Sequence, residues 1–149
     1  LGYYKDPEKS RITFPVVNGA RYSVPGDRAM IGEDGRVQLL GRDSVTINSG
    51  GEKIFAEEVE LALKHHPAVY DCVVCGTSSE RWGSQVTAIV QLRPGESADE
   101  EALKATASGH ISRYKLPKAF VFVDTVVRAP SGKADYRWAR DTANEALDL

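Results

Sequence analysis

The sequence predicts an α+β fold in which helices pack on one short, three-stranded β-sheet. Apolar residues recur at helical spacing from Ala56 onward, and three apolar runs have the length and composition of β-strands. Helix and strand signals follow in the order helix, strand, strand, helix, strand, helix. That order predicts a small sheet covered by helices, with a β-hairpin and a β-rich segment before it.

The helices are predicted from residue spacing and from the signals at their ends. Val59, Ala62 and Leu63 fall on one face of the first helix, and Pro67 closes that segment. Ser97 and Glu100 have the spacing of a capping box, which opens a second helix to about residue 108. A last helix is predicted over residues 135–147.

The strands are predicted at residues 69–76, 85–92 and 119–126, with a polar loop between the first two. Further upstream, Glu33-Asp34-Gly35 is typical of a hairpin turn between two short strands. Residues 1–41 contain few large apolar side chains. We therefore expect this part to be the edge of a β-rich neighbour.

Composition excludes several classes of protein. The 149 residues are 42% hydrophobic with a net charge of −2, which suits a folded core but gives no basic field for nucleic acid. No apolar run has the length of a transmembrane segment, and the start does not resemble a signal peptide. The chain opens with Leu1 instead of Met, which suggests a fragment.

Cys72 and Cys75 form a C-x-x-C pair close to His65 and His66, and this raises the question of a metal or redox site. The segment around the cysteines has the composition of a buried strand, in which residues three apart point to opposite faces. A second C-x-x-C pair, which would complete a zinc site, does not occur. We expect reduced core cysteines, no metal ligands and a cytoplasmic protein.

Two small glycine-containing loops carry basic residues. Ser131-Gly132-Lys133 resembles part of a phosphate-binding P-loop, but Val127 stands where the first glycine belongs and Ala134 replaces the Ser or Thr. Lys133 alone could be a mobile cation or an ordinary surface lysine. The second loop, residues 49–51, could be a plain turn or a place where a ligand approaches the backbone.

Other polar residues also allow both a structural and a ligand-binding interpretation. Asp27 follows a Pro-Gly turn and could be a turn acid or an acceptor for ribose hydroxyls. Arg42 could pair with a phosphate or with Asp43. Acidic residues at 57, 58 and 60 suit the first turn of a helix, where they interact favourably with the helix dipole.

Four motifs that follow one another in a fixed order favour the functional interpretation of these residues. They are YSVPGD, GRDSVTINSGGEKIFAEEVE, ISRYKLPKAF and RAPSGKAD. Together they resemble the C-terminal part of the adenylate-forming (ANL) superfamily, and the chain looks most like a fatty-acyl-CoA synthetase. The resemblance implies that residues 1–41 are the tail of a large N-terminal adenylation domain. Residues 42–149 would then be the small, mobile C-terminal domain.

The resemblance also implies the chemistry. A carboxylic acid attacks the α-phosphate of ATP to give an acyl-adenylate and pyrophosphate, and the thiol of coenzyme A then displaces AMP. ATP with Mg²⁺ would be bound mainly by the N-terminal domain, which is the expected partner, and coenzyme A would be the second substrate. A fatty acid or related lipid acid is expected, and the fragment is expected to be inactive alone.

Site residues are implied position by position. Lys133 matches the lysine that reaches the carboxylate and α-phosphate, whereas Asp27 and Arg42 match residues that contact the nucleotide. Gly51 matches a glycine on the pantetheine path of coenzyme A. The other residues that we expect to contact coenzyme A are Gly50, Glu52, Lys53 and Arg81.

The hinge between the two domains is expected at Asp43 and Ser44. Many relatives have Asp or Lys where this chain has Ser44. The resemblance therefore does not decide whether Asp43 or Ser44 is the pivot residue. Two other functions remain open at this point: a domain that loads an amino acid or acyl group onto a carrier protein, and a non-catalytic α+β binding module.

Overall fold

The structure, a computed structural model, describes residues 2–42 and 45–149, together with their side chains except those of residues 38 and 40–42. The chain divides into two compact units, Leu1–Ser44 and Val45–Leu149. The predicted division into residues 1–41 and 42–149 stays a prediction, because a boundary between contact clusters does not define domains of a longer protein. Each unit is described by itself.

The first unit is a short helix followed by two small ribbons. Helix α1 begins after Asp6, whose side chain accepts a hydrogen bond from the Lys9 backbone N–H. The turn predicted between two strands is confirmed, since the Gly35 N–H donates to the Gly32 carbonyl at 2.9 Å. None of the described side chains of this unit is buried. Its elements are α1 (Pro7–Thr13), β1 (Val16–Val17), β2 (Ala20–Arg21), β3 (Asp27–Ile31) and β4 (Val37–Arg42).

The second unit contains the sheet and the remaining helices. Its three-stranded sheet has the order β7-β8-β9, with β7 antiparallel and β9 parallel to the central strand β8. A single turn of 3₁₀-helix at Arg113–Lys115 precedes β9. The elements are β5 (Thr46–Ser49), β6 (Glu52–Phe55), α2 (Ala56–Leu63), β7 (Val69–Ser79), β8 (Gly83–Leu92), α3 (Glu100–Ser108), β9 (Ala119–Phe122) and α4 (Tyr136–Ala146).

Apolar side chains cover both faces of this sheet. Leu63 of α2 and Leu103 of α3 are fully buried in one cluster, which also includes Ile54 of the β5–β6 hairpin. Ala139 and Ala143 of α4 are buried in a second cluster on the other face. The predicted α+β architecture, with packed helices and a hairpin, is therefore confirmed.

Local details differ from the sequence prediction. The side chain of Asp99 caps α3 by accepting from the Ala102 N–H at 2.8 Å, so the prediction of a capping box at Ser97 was wrong. Asp99 lies immediately before the helix, within reach of the free N–H groups of its first turn. Strands β7 and β8 also continue into the predicted polar loop, because their backbones remain paired as far as Ser79 and Gly83.

The predicted burial of both cysteines in the core, on opposite faces of a strand, is confirmed. Cys72 and Cys75 are free and buried, and they belong to the clusters on opposite faces of the sheet. Burial raises the pKa of the Cys72 thiol to about 12. Within residues 2–42 and 45–149, no three His, Cys, Asp or Glu side chains gather as metal ligands. The described helices are all too short or too polar to cross a membrane.

Candidate functional site

Lys133 lies on a tight turn that joins the sheet to α4. The Gly132 N–H donates to the Ala129 carbonyl at 2.8 Å, and the Ala129 N–H donates to the Lys133 carbonyl at 2.9 Å. Gly132 has a φ of +79°, which favours glycine at this position. The Lys133 residue is exposed. A hydrogen-bonded turn thus presents a cation at the surface of the domain.

Arg128 fastens this turn to the sheet. Its Nε and Nη2 atoms donate to the two carboxylate oxygens of Asp71 on β7, both at 2.6 Å. Nη1 donates to the Gly132 carbonyl at 3.3 Å, and the backbone of Arg128 forms a β-bridge with Ala134. One side chain therefore spans from the sheet to the peptide group that precedes Lys133.

Asp71 is the acceptor at the centre of this contact. Lys64, at the end of α2, also reaches Asp71, with Nζ 2.7 Å from Oδ1. Burial by itself would raise the pKa of Asp71, but hydrogen bonds and charges from Arg128 and Lys64 outweigh that effect. They hold the pKa at about 2, below its ordinary value of 3.8. The carboxylate is therefore charged at neutral pH and holds two cations.

A second acid lies buried close to this ion pair. Glu60 of α2 is only 7% exposed, and its Oε1 accepts from the Val74 N–H at 2.9 Å. Burial is the largest effect and raises the pKa of Glu60 to about 7, although the Val74 hydrogen bond and the charges of Lys64 and Arg128 lower it. The other effect that raises it is the charge of Glu57. Glu60 thus titrates near neutral pH.

The glycine turn lies elsewhere in the second unit, between β5 and β6. Gly50 and Gly51 have φ values of +59° and +90°, the conformation of a tight hairpin turn. A β-carbon on Gly50 would lie 2.9 Å from Cε3 of Trp82, whereas one on Gly51 would meet no atom within 4 Å. Packing therefore requires a glycine at 50. At position 51 only the backbone conformation requires a glycine, and the space next to Gly51 is open.

The β7–β8 turn supports the glycine turn. The Gly50 N–H donates to the Trp82 carbonyl at 3.0 Å, and the Arg81 guanidinium lies 4.6 Å from the centre of the Trp82 ring. Glu52 and Lys53 follow in β6 and are exposed. The structure thus brings together Gly50 and Arg81, two of the five residues predicted to contact coenzyme A, through a tryptophan.

The two loops are fastened at opposite ends of one strand. Asp71, which holds the Lys133 turn, is close to the start of β7, and Ser79 at its end adjoins the turn that carries Trp82. Eight residues separate Asp71 from Ser79, or about 26 Å at a rise of ~3.3 Å per residue. That separation is several times the length of a lysine side chain. The domain therefore presents two distinct surfaces.

The predicted nucleotide-binding residues lie in the first unit. Asp27 begins β3 and Arg42 ends β4, and their Cα atoms are direct partners in the antiparallel register. Asp27 is exposed. The structure thus makes neighbours of two residues fifteen positions apart in sequence. The side chain of Arg42 and the predicted hinge residues Asp43 and Ser44 lie outside the part that the structure describes.

Sequence patterns did not identify Asp71 or Trp82 as parts of these loops, and the motif RAPSGKAD includes Arg128 without giving it a role. Asp71 and Arg128 are 57 residues apart, and each looks like an ordinary charged residue in its own segment. A second ion pair of the same separation joins Lys115 to Glu58 at 2.6 Å. In the sequence, the signal for Trp82 is an aromatic residue directly after Arg81 in a polar segment.

Comparison with known proteins assigns the family. The family described as AMP-binding enzyme C-terminal domain matches residues 58–133 of this chain, just over half of it. The chain belongs to this family of AMP-binding enzyme C-terminal domains. The matched segment runs from α2 to Lys133, so it includes the Asp71–Arg128 contact.

Similar proteins include ligases that form acyl-CoA. A medium-chain acyl-CoA ligase, Mig, of Mycobacterium avium is 60% identical over 143 residues, which are 96% of this chain and 26% of the ligase. A 3-oxocholest-4-en-26-oate–CoA ligase of Rhodococcus rhodochrous is 55% identical over 95% of this chain and 25% of its own length.

Solved structures agree with the fold. The apo form of MatB from Rhodopseudomonas palustris superposes with a TM-score of 0.79 at 29% identity, covering 98% of this chain and 28% of MatB. The present chain thus spans about a quarter of the length of the curated relatives that it matches.

Proposed function

We propose that this chain is the C-terminal part of an ATP-dependent acyl-CoA ligase. The observation that carries the proposal is the placement of a lysine turn and a glycine turn at opposite ends of β7 in a domain of the AMP-binding family. A domain with two such surfaces can serve two successive half-reactions, presenting one surface in each.

In the first half-reaction, Lys133 lies beside the α-phosphate of ATP and the carboxylate of the acid. A carboxylate oxygen forms a bond to the α-phosphorus while the bond to the pyrophosphate oxygen breaks. Negative charge develops on the phosphoryl oxygens, and a cation fixed nearby stabilises it. The exposed position of Lys133 on a hydrogen-bonded turn suits this contact with a separate domain.

In the second half-reaction, the glycine turn lies next to the pantetheine arm of coenzyme A. The thiol sulfur forms a bond to the acyl carbon, and the bond from that carbon to the AMP oxygen breaks. Open space in front of Gly51 leaves room for the arm. Arg81 and Lys53 supply positive charge for the phosphates of coenzyme A.

Asp27 and Arg42 are proposed to bind the nucleotide, with Asp27 accepting from the ribose hydroxyls. Their position as direct partners across β3 and β4 supports a common ligand. The domain swing would occur at Asp43 and Ser44, between residues 1–41 of the large domain and residues 42–149 of the mobile one. Mg²⁺ would accompany ATP on the N-terminal domain, which is the proposed partner.

The names of the relatives support a proposal for the substrate class. One similar ligase is named for medium-chain acyl groups and another for a 26-carboxylated cholestenone. We therefore propose that the acid is a medium- or long-chain fatty acid or a steroid side-chain acid. Two buried free cysteines favour a cytoplasmic location, where thiols remain reduced.

The first test measures ATP–pyrophosphate exchange by the full-length protein with a panel of fatty and steroid acids, and then thioester formation after addition of coenzyme A. Exchange with a lipid acid followed by thioester formation is the expected result. Exchange without a thioester would replace this proposal with a carrier-loading enzyme. If no acid supports exchange, the proposed activity is wrong.

The second test assigns the two loops to the two half-reactions. Lys133→Ala should lower exchange by about 10²–10³-fold and spare thioester formation from supplied acyl-adenylate. Gly51→Leu should spare exchange and block thioester formation. Gly95→Leu is the matched control for the glycine, because Gly95 also has a positive φ of +79° and open space around it. Equal losses in both half-reactions would contradict the assignment.

A further inference from the structure

The Arg128 side chain spans the interval between the sheet and the turn that carries Lys133. Its two donors to Asp71 are 2.6 Å from the carboxylate oxygens, and its third nitrogen reaches the Gly132 carbonyl. Gly132 and Lys133 share a peptide bond, so the guanidinium contacts the backbone immediately before the lysine. A bidentate pair fixes orientation as well as distance.

Asp71 is in turn held from three sides. Besides Arg128, the Lys64 ammonium and the Cys72 backbone N–H approach its carboxylate, at 2.7 Å and 2.9 Å. Its side chain is 16% exposed. The acceptor is thus fixed to β7 and to the end of α2, and both of these elements contribute side chains to a buried cluster.

We propose that Arg128 is a positioning residue for adenylation: by bridging Asp71 and Gly132, it sets the place of Lys133 relative to the sheet. The inference rests on the proposed function, because it assumes that Lys133 acts in the first half-reaction. The inference gives a role to Arg128, which contacts an acid 57 positions earlier in the sequence. The motif that contains Lys133 does not by itself indicate this role.

The physical reason is the distance tolerance of the reaction. A lysine contributes to a phosphoryl transition state only when its ammonium group is already in place, and a misplacement of about 1 Å can cost ~10²-fold in rate. Without Arg128, the turn keeps its own backbone hydrogen bonds but loses the side-chain hydrogen bonds that join it to Asp71 on β7. Lys133 is then presented over a wider range of positions.

The experiment uses Arg128→Gln and Arg128→Lys in the full-length protein, with the two half-reactions measured separately. Arg128→Gln should lower exchange by about 10–100-fold and leave thioester formation from supplied acyl-adenylate unchanged. Arg128→Lys should recover part of the loss, since an ammonium group can keep a contact with Asp71 but cannot also bridge to Gly132.

Lys115→Met is the matched control. Lys115 and Glu58 form an ion pair of similar length and burial, with side chains 18% and 17% exposed. Lys115 belongs to the 3₁₀ turn and Glu58 to α2, so neither is part of the Lys133 turn. Loss of this ion pair should lower the stability of the protein and should affect the rates of the two half-reactions equally. If Arg128→Gln lowered both half-reactions to the same degree as this control variant, Arg128 would be merely structural and the inference would be wrong.

A double variant separates this inference from the proposal beneath it. If Arg128 acts through Lys133, adding Arg128→Gln to Lys133→Ala should lower exchange no further. An additional loss in the double variant would overturn the positioning role while leaving that of Lys133 intact. Full exchange by Lys133→Ala alone would refute the role of Lys133 and, with it, this inference.

Discussion

Glu60 gives the sharpest stability prediction, because its carboxyl group is buried and its pKa lies at about 7. In the unfolded chain its pKa has the ordinary value of 4.5. Between these two values the folded state keeps a proton that the unfolded state releases. Stability from this group therefore falls as pH rises from about 4.5 to 7, and stays low above that range.

The magnitude follows from the two pKa values. A difference from 4.5 to about 7 corresponds to roughly 3 kcal/mol, at ~1.4 kcal/mol per pH unit. Glu60→Gln removes the ionisation and keeps an oxygen that can accept from the Val74 N–H. The wild-type chain should thus lose about 3 kcal/mol of unfolding free energy over this range that the variant does not lose.

The assay is urea unfolding at a series of pH values, followed by tryptophan fluorescence. Both tryptophans, Trp82 and Trp138, lie in the second unit, so the signal reports on the unit that contains Glu60. All other ionisable side chains are the same in both proteins, so the difference between wild type and Glu60→Gln isolates the carboxyl group. A difference that stayed constant from pH 4.5 to pH 8 would refute the reasoning.

Three further predictions concern stability. Asp71→Asn should destabilise the chain at pH 7, because the lowered pKa of Asp71 favours the folded state at that pH. The wild type should lose this stability as pH falls from 3.8 towards 2, and the variant should not. Acid unfolding curves of the two proteins test this. Gly50→Ala should lower the urea midpoint more than Gly51→Ala, since only at Gly50 would the new methyl group collide with Trp82, and equal shifts would contradict the packing argument. Asp135→Ala should cost about 1 kcal/mol by removing the N-cap of α4, and an unchanged thermal midpoint would count against it.

Much of the fold could be predicted from local sequence patterns. The helix at α2 follows from apolar spacing and Pro67, and the alternation along β7 placed Cys72 and Cys75 on opposite faces. Strand ends were less predictable. Polar residues at 77–79 suggested a loop, but backbone pairing with β8 continues through them, and this pairing does not depend on the polarity of the side chains.

The family itself was also determined by the sequence, because four motifs in fixed order carry that information and the family match to residues 58–133 agrees with it. The motifs named Lys133 and the glycine turn as candidates, but they did not show what fixes either of them. The roles of these residues stay predictions until the two half-reactions are measured.

Only the tertiary structure decided which residues support each loop. Asp71 meets Arg128 because β7 and the segment after β9 are brought together by the folded sheet, although 57 residues separate them. Trp82 packs on Gly50 because the ends of two hairpins meet in space. Local composition determines helices, strands and turns, whereas contacts between distant segments depend on how those elements pack, and a single sequence does not state that.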